Sequence, residues 1–380
     1  MTSRALAVVA VLAVGAALAR AESRSEEDST PLGLLRRAEA VALVTAVAPA
    51  PGEDAPLGVL RIDEVLRGSA KAGERLLLAG APELEDLRAP AAIRAVAFLG
   101  RDGPRWTVLD GALGLVATEE VPSGDAPVVA FFRGLLASLD AKGRIADPAK
   151  ARSLVVGACA GASVRLRHGA AYDLVREPVL LAGATDEERA ALVSAFDALP
   201  NRDRARFHLA RVMGMLKPEG AAARLAAALV AEDGEAVADA VGAAIADLGD
   251  PKAVELLASK AADPSARTRR LVARALGAAE SPAARPGLES LLGAAEPLVR
   301  MEAALGLGRL KSPDAAPALL RRFRGEGAET DLPVRRALAW ALVRAGETAV
   351  LEEAARGDAD PAFRRYAGDL LRNPSRGFVR

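Results

Sequence analysis

The sequence predicts a multidomain chain of β and α parts: a small antiparallel β-barrel or sandwich, then an all-α solenoid of stacked helix pairs. Three observations carry this. Short β-branched runs bounded by turn residues fill residues 31–122. From about Ala126 that pattern gives way to Ala- and Leu-rich helical periodicity. Within it Asp250-Pro251, Ser281-Pro282 and Ser312-Pro313 recur at a spacing of 31 residues, twice over.

Composition narrows the functions. The 380 residues carry 50 Lys+Arg against 50 Asp+Glu, so no basic excess marks a general binder of nucleic acid. One Cys excludes an internal disulfide framework, and one Cys with two His does not build the usual zinc sites. Aromatic residues make up 3%, few for a base-stacking platform. No cofactor and no nucleic-acid partner are expected.

Residues 1–21 read as a secretory signal: Arg4 supplies the positive start, Ala5 to Leu18 the apolar stretch, and Ala19-Arg20-Ala21 the cleavage site. The apolar stretch is short for a bilayer span, which needs ~20 residues. The expectation is an exported protein (periplasm, cell envelope or extracellular space) with no membrane span after signal removal. Residues 22–30 are wholly polar and read as a disordered lead-in.

In the β domain, Ala40–Val47 is an apolar run ended by the Pro49–Pro56 breaker segment, and Val59–Leu66 ends at the turn Arg67-Gly68-Ser69. Arg75–Leu78 is a third strand. Ile93–Leu99 and Trp106–Leu109 flank Asp102-Gly103-Pro104 as a hairpin, continued by Leu113–Ala117. The pieces "RIDEVLRGSAKAGERLLL" and "AVAFLGRDGPRWTVLDGALGLV" resemble an OB-like domain of exported bacterial proteins, which implies a small barrel without catalytic residues. OB folds often bind nucleic acid or sugars through exposed aromatics. Phe98 and Trp106, the only aromatics here, sit within strand patterns and are read as core.

Residues 123–200 form a helical segment with one degenerate unit around Val164-Arg165. Residues 201–375 carry the clear units, and 376–380 are a tail. Each unit reads as two helices, such as Pro251–Ala262 and Ala266–Ala278 around the break Asp263-Pro264, with Asp263, Asp331 and Asp360 as caps. "DPSARTRRLVARALGAAESPAARPGLESLL", "PLVRMEAALGLGRLKSPDAAPALL" and "LPVRRALAWALVRAGETAVLEEA" resemble HEAT repeats of the phycobilin-lyase type. "DPAFRRYAGDLL" is a closing half-repeat. The register residues are Pro251, Pro282 and Pro313, with Arg269, Arg300, Arg335 and Arg364 expected to hold repeats together; Ala238 interrupts that series. The resemblance implies an extended surface for another protein.

Chemistry has few candidates. Gly157-Ala-Cys159-Ala-Gly161, after Leu154-Val-Val156 read as a short strand, has the shape of a nucleophile elbow. His168 and His208 are the only possible histidine bases. The alternative is a Cys packed between small residues of an early repeat. HEAT-repeat deoxyhypusine hydroxylases use His-Glu pairs for iron; here Gly follows His168 and Leu follows His208, so no metal is expected. Thr185–Glu188 fits a capping box.

Residues 263–380 hold 20 basic and 15 acidic residues. Arg267, Arg270 and Arg274 fall on one helix face, with Arg336 and Arg365 at positions equivalent to Arg270. If second helices line the concave side, these five form a mildly basic strip for a protein partner; the alternative is an ordinary solvated face. The expected function is a non-enzymatic adaptor or scaffold in the envelope. The alternatives are a Cys159-dependent enzyme and a structural component whose β domain binds glycan or polymer.

Overall fold

In the computed structural model the described residues are 30–48, 59–77, 94–103, 105–109, 115–118, 126–231, 233–324, 328–374 and 378. The expected signal segment 1–21, residues 22–29 of the expected lead-in, and most of the tail lie outside them. The chain forms two compact units, Met1–Ala195 and Phe196–Arg380.

The first unit opens with a helix that the sequence reading did not assign, α1 (Pro31–Arg37). Thr30 caps it by accepting the Gly33 N–H at 3.0 Å, and Pro31 takes the first turn, where its missing N–H costs nothing. Strands β1 (Ala40–Val47), β2 (Val59–Arg67), β3 (Arg75–Leu77), β4 (Arg94–Asp102), β5 (Arg105–Val108) and β6 (Leu115–Ala117) follow. All pairings are antiparallel, in the order β3-β2-β1-β4-β5, with β6 also on β4. β3 and β5 approach each other, so the sheet nearly closes into a barrel. Its interior holds Ala40, Ala42, Val44, Ile62, Leu99 and Trp106. Gly68 is required at its turn: its φ is +98°, and a Cβ there would lie 2.5 Å from the Glu39 carbonyl oxygen.

β1 and β4 are apolar on both faces because both are covered. Phe98 points out of the barrel and meets Phe132 edge-on at 5.1 Å. Phe132 belongs to α2 (Ala126–Leu136), followed by α3 (Pro148–Cys159), α4 (Val164–Arg176), α5 (Pro178–Leu181) and α6 (Asp186–Ala198). Residues 154–156 are thus helical, not the short strand expected, because the run sits inside a helix capped by Asp147 and started by Pro148. The capping box forms: Thr185 N–H donates to Glu188 at 2.9 Å and Glu188 N–H to Thr185 at 3.2 Å.

The second unit pairs first helices with second helices. These are α7 (Arg204–Leu216), α8 (Ala221–Val230), α9 (Ala238–Leu248), α10 (Pro251–Ala258), α11 (Ala266–Ala279), α12 (Arg285–Leu291), α13 (Pro297–Leu310), α14 (Ala316–Arg324), α15 (Leu332–Arg344), α16 (Ala349–Gly357) and α17 (Pro361–Arg372). The second helices α7, α9, α11, α13, α15 and α17 lie side by side in that order. Pro251 starts α10 behind the cap Asp250, while Pro282 and Pro313 open 3-10 turns that lead into α12 and α14. Asp331 and Asp360 cap their helices, but Ser265, not Asp263, caps α11; Asp263 accepts the Ser265 N–H one step earlier.

Four second helices end on a left-handed residue: Lys217, Gly249, Glu280 and Lys311, with φ of 51°, 68°, 47° and 51°. Their spacings of 32, 31 and 31 restate the repeat in backbone geometry. Neighbouring second helices touch through glycine: a Cβ on Gly277 would stand 2.6 Å from the Gly306 Cα.

Candidate functional site

The arginine at the fourth position after a second-helix cap does the same work in several units. Arg269 donates to the carbonyls of Asp263 and Pro264 at 2.7 and 3.0 Å and reaches Glu296, the cap of the next second helix, at 2.8 Å. Arg300 donates to the carbonyls of Ala294 and Ala295 and binds Glu329 through two nitrogens, at 2.6 and 3.0 Å. Arg335 pairs with Asp358, and Arg364 donates to the Asp358 carbonyl. Arg269 and Arg300 therefore each close their own turn and tie it to the next repeat, Arg335 supplies the tie alone, and Arg364 closes its own turn. In the degenerate unit Arg167 holds this place, donating to the carbonyls of Gly161 and Ala162 at 2.8 and 3.3 Å. Arg165, expected there, instead donates to the Leu115 carbonyl at 2.7 Å, because Ser163 caps the helix and sets the count.

Glu329 is the most enclosed of these acids. It accepts from Arg300 and Arg322 and from the N–H groups of Thr330 and Asp331. Burial alone would raise its pKa; the Arg300 and Arg322 guanidiniums and the Asp331 N–H overcome that and hold it down at about 2.

The five arginines of the expected partner strip separate into two groups. Arg267 donates to the Ala231 carbonyl at 3.2 Å. Arg270 pairs with Glu235 at 2.8 Å and Arg274 with Asp239 at 2.5 Å. Those acids lie in and just before α9, so α11 spends its positive charge on its neighbour. Hydrogen bonding to Asp239 raises the Arg274 pKa more than burial lowers it. Arg336 and Arg365 make no ion pair among the described residues. Arg336 instead lies over the Tyr366 ring at 5.5 Å, and the Tyr366 hydroxyl donates to the Arg336 carbonyl at 3.2 Å. The sequence reading missed the acids that answer α11. Their signal was present: Glu235 and Asp239 stand four apart, as do Arg270 and Arg274, at a constant offset of 35.

The nucleophile elbow does not form. Cys159 is the last residue of α3 and fully buried, and burial raises its thiol pKa, with a further push from the Asp173 carboxylate. His168 is half-buried on α4; His208 is buried on α7, edge-on to Phe207 at 5.2 Å. Among the described residues no group of three His, Cys, Asp or Glu is placed to hold a metal. In the barrel Trp106 is buried in the core, as read from the sequence, with the Arg101 guanidinium 4.0 Å over its ring.

Asp173 of α4 is buried against the first turn of α1. It accepts the Leu32 N–H at 3.1 Å, and burial pushes its pKa up to about 7 against the lowering effects of Thr30 and the Leu32 N–H.

A family model described as HEAT repeats matches residues 255–342. The chain therefore carries HEAT repeats across α11 to α15. No curated protein matches the chain. Solved structures are similar to the chain, among them the following three. The complex of CpcE and CpcF of phycocyanin lyase from Nostoc sp. PCC7120 is 22% identical, covering 60% of this chain and 89% of that one, with a TM-score of 0.33. Human deoxyhypusine hydroxylase in complex with glycerol is 18% identical, covering 60% and 96%, with a TM-score of 0.26. An engineered protein is 18% identical, covering 64% and 77%, with a TM-score of 0.30.

Proposed function

We propose that this is an exported, non-enzymatic adaptor whose HEAT repeats present a protein-binding surface. The observation that supports it most is the arginine ladder. Arg269, Arg300 and Arg335 fix successive repeats against one another, so exposed side chains of different second helices keep a set spacing. A preorganised surface of that kind loses little freedom on binding. The enzymatic alternative through Cys159 has the burial of that thiol against it. No helix among the described residues is long and apolar enough to cross a membrane.

Export rests on the pattern of residues 1–21. The mass of the secreted or periplasmic chain tests it: a first residue of Glu22 agrees, and a full-length cytosolic product overturns it. The adaptor reading is tested by affinity capture with the purified chain on envelope extract. A stoichiometric protein, competed by excess soluble chain and shifting its sedimentation, supports the reading. No such protein in any fraction overturns it.

A further inference from the structure

α13 carries apolar residues where α11 carries arginines: Leu298, Met301 and Leu305 stand 31 residues after Arg267, Arg270 and Arg274. Leu298, Met301 and Leu305 fall at i, i+3 and i+7, so they form one stripe. Leu298 is 53% exposed, Met301 is half-buried, and Leu305 makes the floor. The accessible part of the stripe is Leu298 and Met301; on the neighbouring α15, Trp340 is buried and packs against Gly308 of α13.

The margins of the stripe are basic. Arg309, Arg336, Arg344 and Arg365 make no ion pair among the described residues. Arg344 lies over Trp340 at 5.8 Å, and the buried Nε atoms of Arg336 and Arg344 have no hydrogen-bond acceptor among the described residues. Arg270 and Arg274 are both matched by acids of the preceding repeat, whereas among the described residues the arginines of α13 and α15 meet no such acids. Glu302 of α13 is buried and acts on Arg274. Trp340 also receives an aromatic ring from outside the helices, Phe378, edge-on at 6.3 Å.

We infer that the α13–α15 face docks an acidic segment of a partner protein through an aromatic anchor. The anchor covers Leu298 and Met301, and flanking carboxylates meet Arg309, Arg336 and Arg344. This rests on the protein-binding reading above and gives it a place and a partner chemistry. The buried anchor supplies affinity and the charged margin supplies register and encounter rate. A uniform polyanion would leave the apolar stripe uncovered.

The test uses the full chain and a fluorescein-labelled peptide alternating Glu with Phe and Leu, read by anisotropy at low and high salt. Two control peptides replace Phe and Leu by Ala, or Glu by Lys. Both controls are expected to bind at least tenfold more weakly. Leu298→Asp with Met301→Asp should weaken the first peptide about tenfold. Arg336→Gln with Arg344→Gln should weaken it and flatten its salt dependence. Melting curves check folding, and Leu298→Ala with Met301→Ala carries the test if the Asp pair unfolds. Equal binding of the Ala peptide, no binding of the first peptide, or indifference to both variant pairs overturns the site. A captured protein that both variant pairs retain also overturns the site while leaving the adaptor reading intact; absence of any captured protein strikes the adaptor reading itself.

Discussion

A carboxylate that keeps its proton near neutrality makes folding depend on pH in an unusual direction. Asp173 does so because it is buried beside Thr30 and Leu32, with Glu177 adding repulsion and Arg36 offsetting part of it. Its pKa is about 7 in the folded chain, against about 3.9 when unfolded. Between those values the folded state holds a proton that the unfolded state lacks, so stability falls as pH rises from 4 to 7. The expected loss is on the order of 2–4 kcal/mol. Urea midpoints of the first unit should drop from pH 5 to pH 8, and Asp173→Asn should flatten that slope. A wild-type midpoint independent of pH would refute it. Glu329 works in the opposite sense: its lowered pKa contributes stability above pH ~4.5 that is lost as pH falls towards 2.

At the scale of elements, two features of the second helices set the cost of change. Gly277 and Gly306 allow α11 and α13 to approach so closely that a side chain does not fit. Gly277→Val should therefore destabilise by about 3 kcal/mol, the upper range for overpacking, while Gly357→Val, with nothing within 4 Å of its Cβ, should change little beyond helix propensity. Comparable denaturation midpoints for the two would contradict this packing. The left-handed ends give the converse. Lys311→Gly should stabilise by roughly 0.5–1 kcal/mol, since glycine bears φ of 51° without steric penalty; a lower melting temperature would count against it.

These elements were unequally legible. β1 was readable to the residue because a β-branched run ended at a proline-rich breaker, and the 31-residue spacing of Pro251, Pro282 and Pro313 exposed the repeat. α1 was not readable, since seven residues hold too little periodicity and much of its support comes from Asp173, far along the chain. The strip Arg267, Arg270 and Arg274 was legible as a helix face, but its neutralisation by Glu235 and Asp239 depends on how repeats stack. The Leu298 stripe was hidden in a helix apolar nearly all round, where sequence does not separate core from surface.

Across the molecule, repeat arrays lose stability locally because each unit leans only on its neighbours. Glu329→Gln leaves Arg300 and Arg322 without their carboxylate in a buried setting, at a cost of about 3 kcal/mol. Hydrogen exchange should accelerate in α13 to α17 while β1, β2 and β4 keep their protection. Uniform acceleration through both units would mean that they unfold as one cooperative body.

The two tryptophans are divided between the units, Trp106 in the barrel core and Trp340 on α15. Each compact body thus contains its own fluorophore, and each indole has an arginine over its ring. With Trp106→Phe the remaining emission follows the repeats, and any ligand reaching the α13–α15 face. With Trp340→Phe it follows the barrel. Unfolding and binding can so be watched in one body at a time, in the intact chain and without an added label.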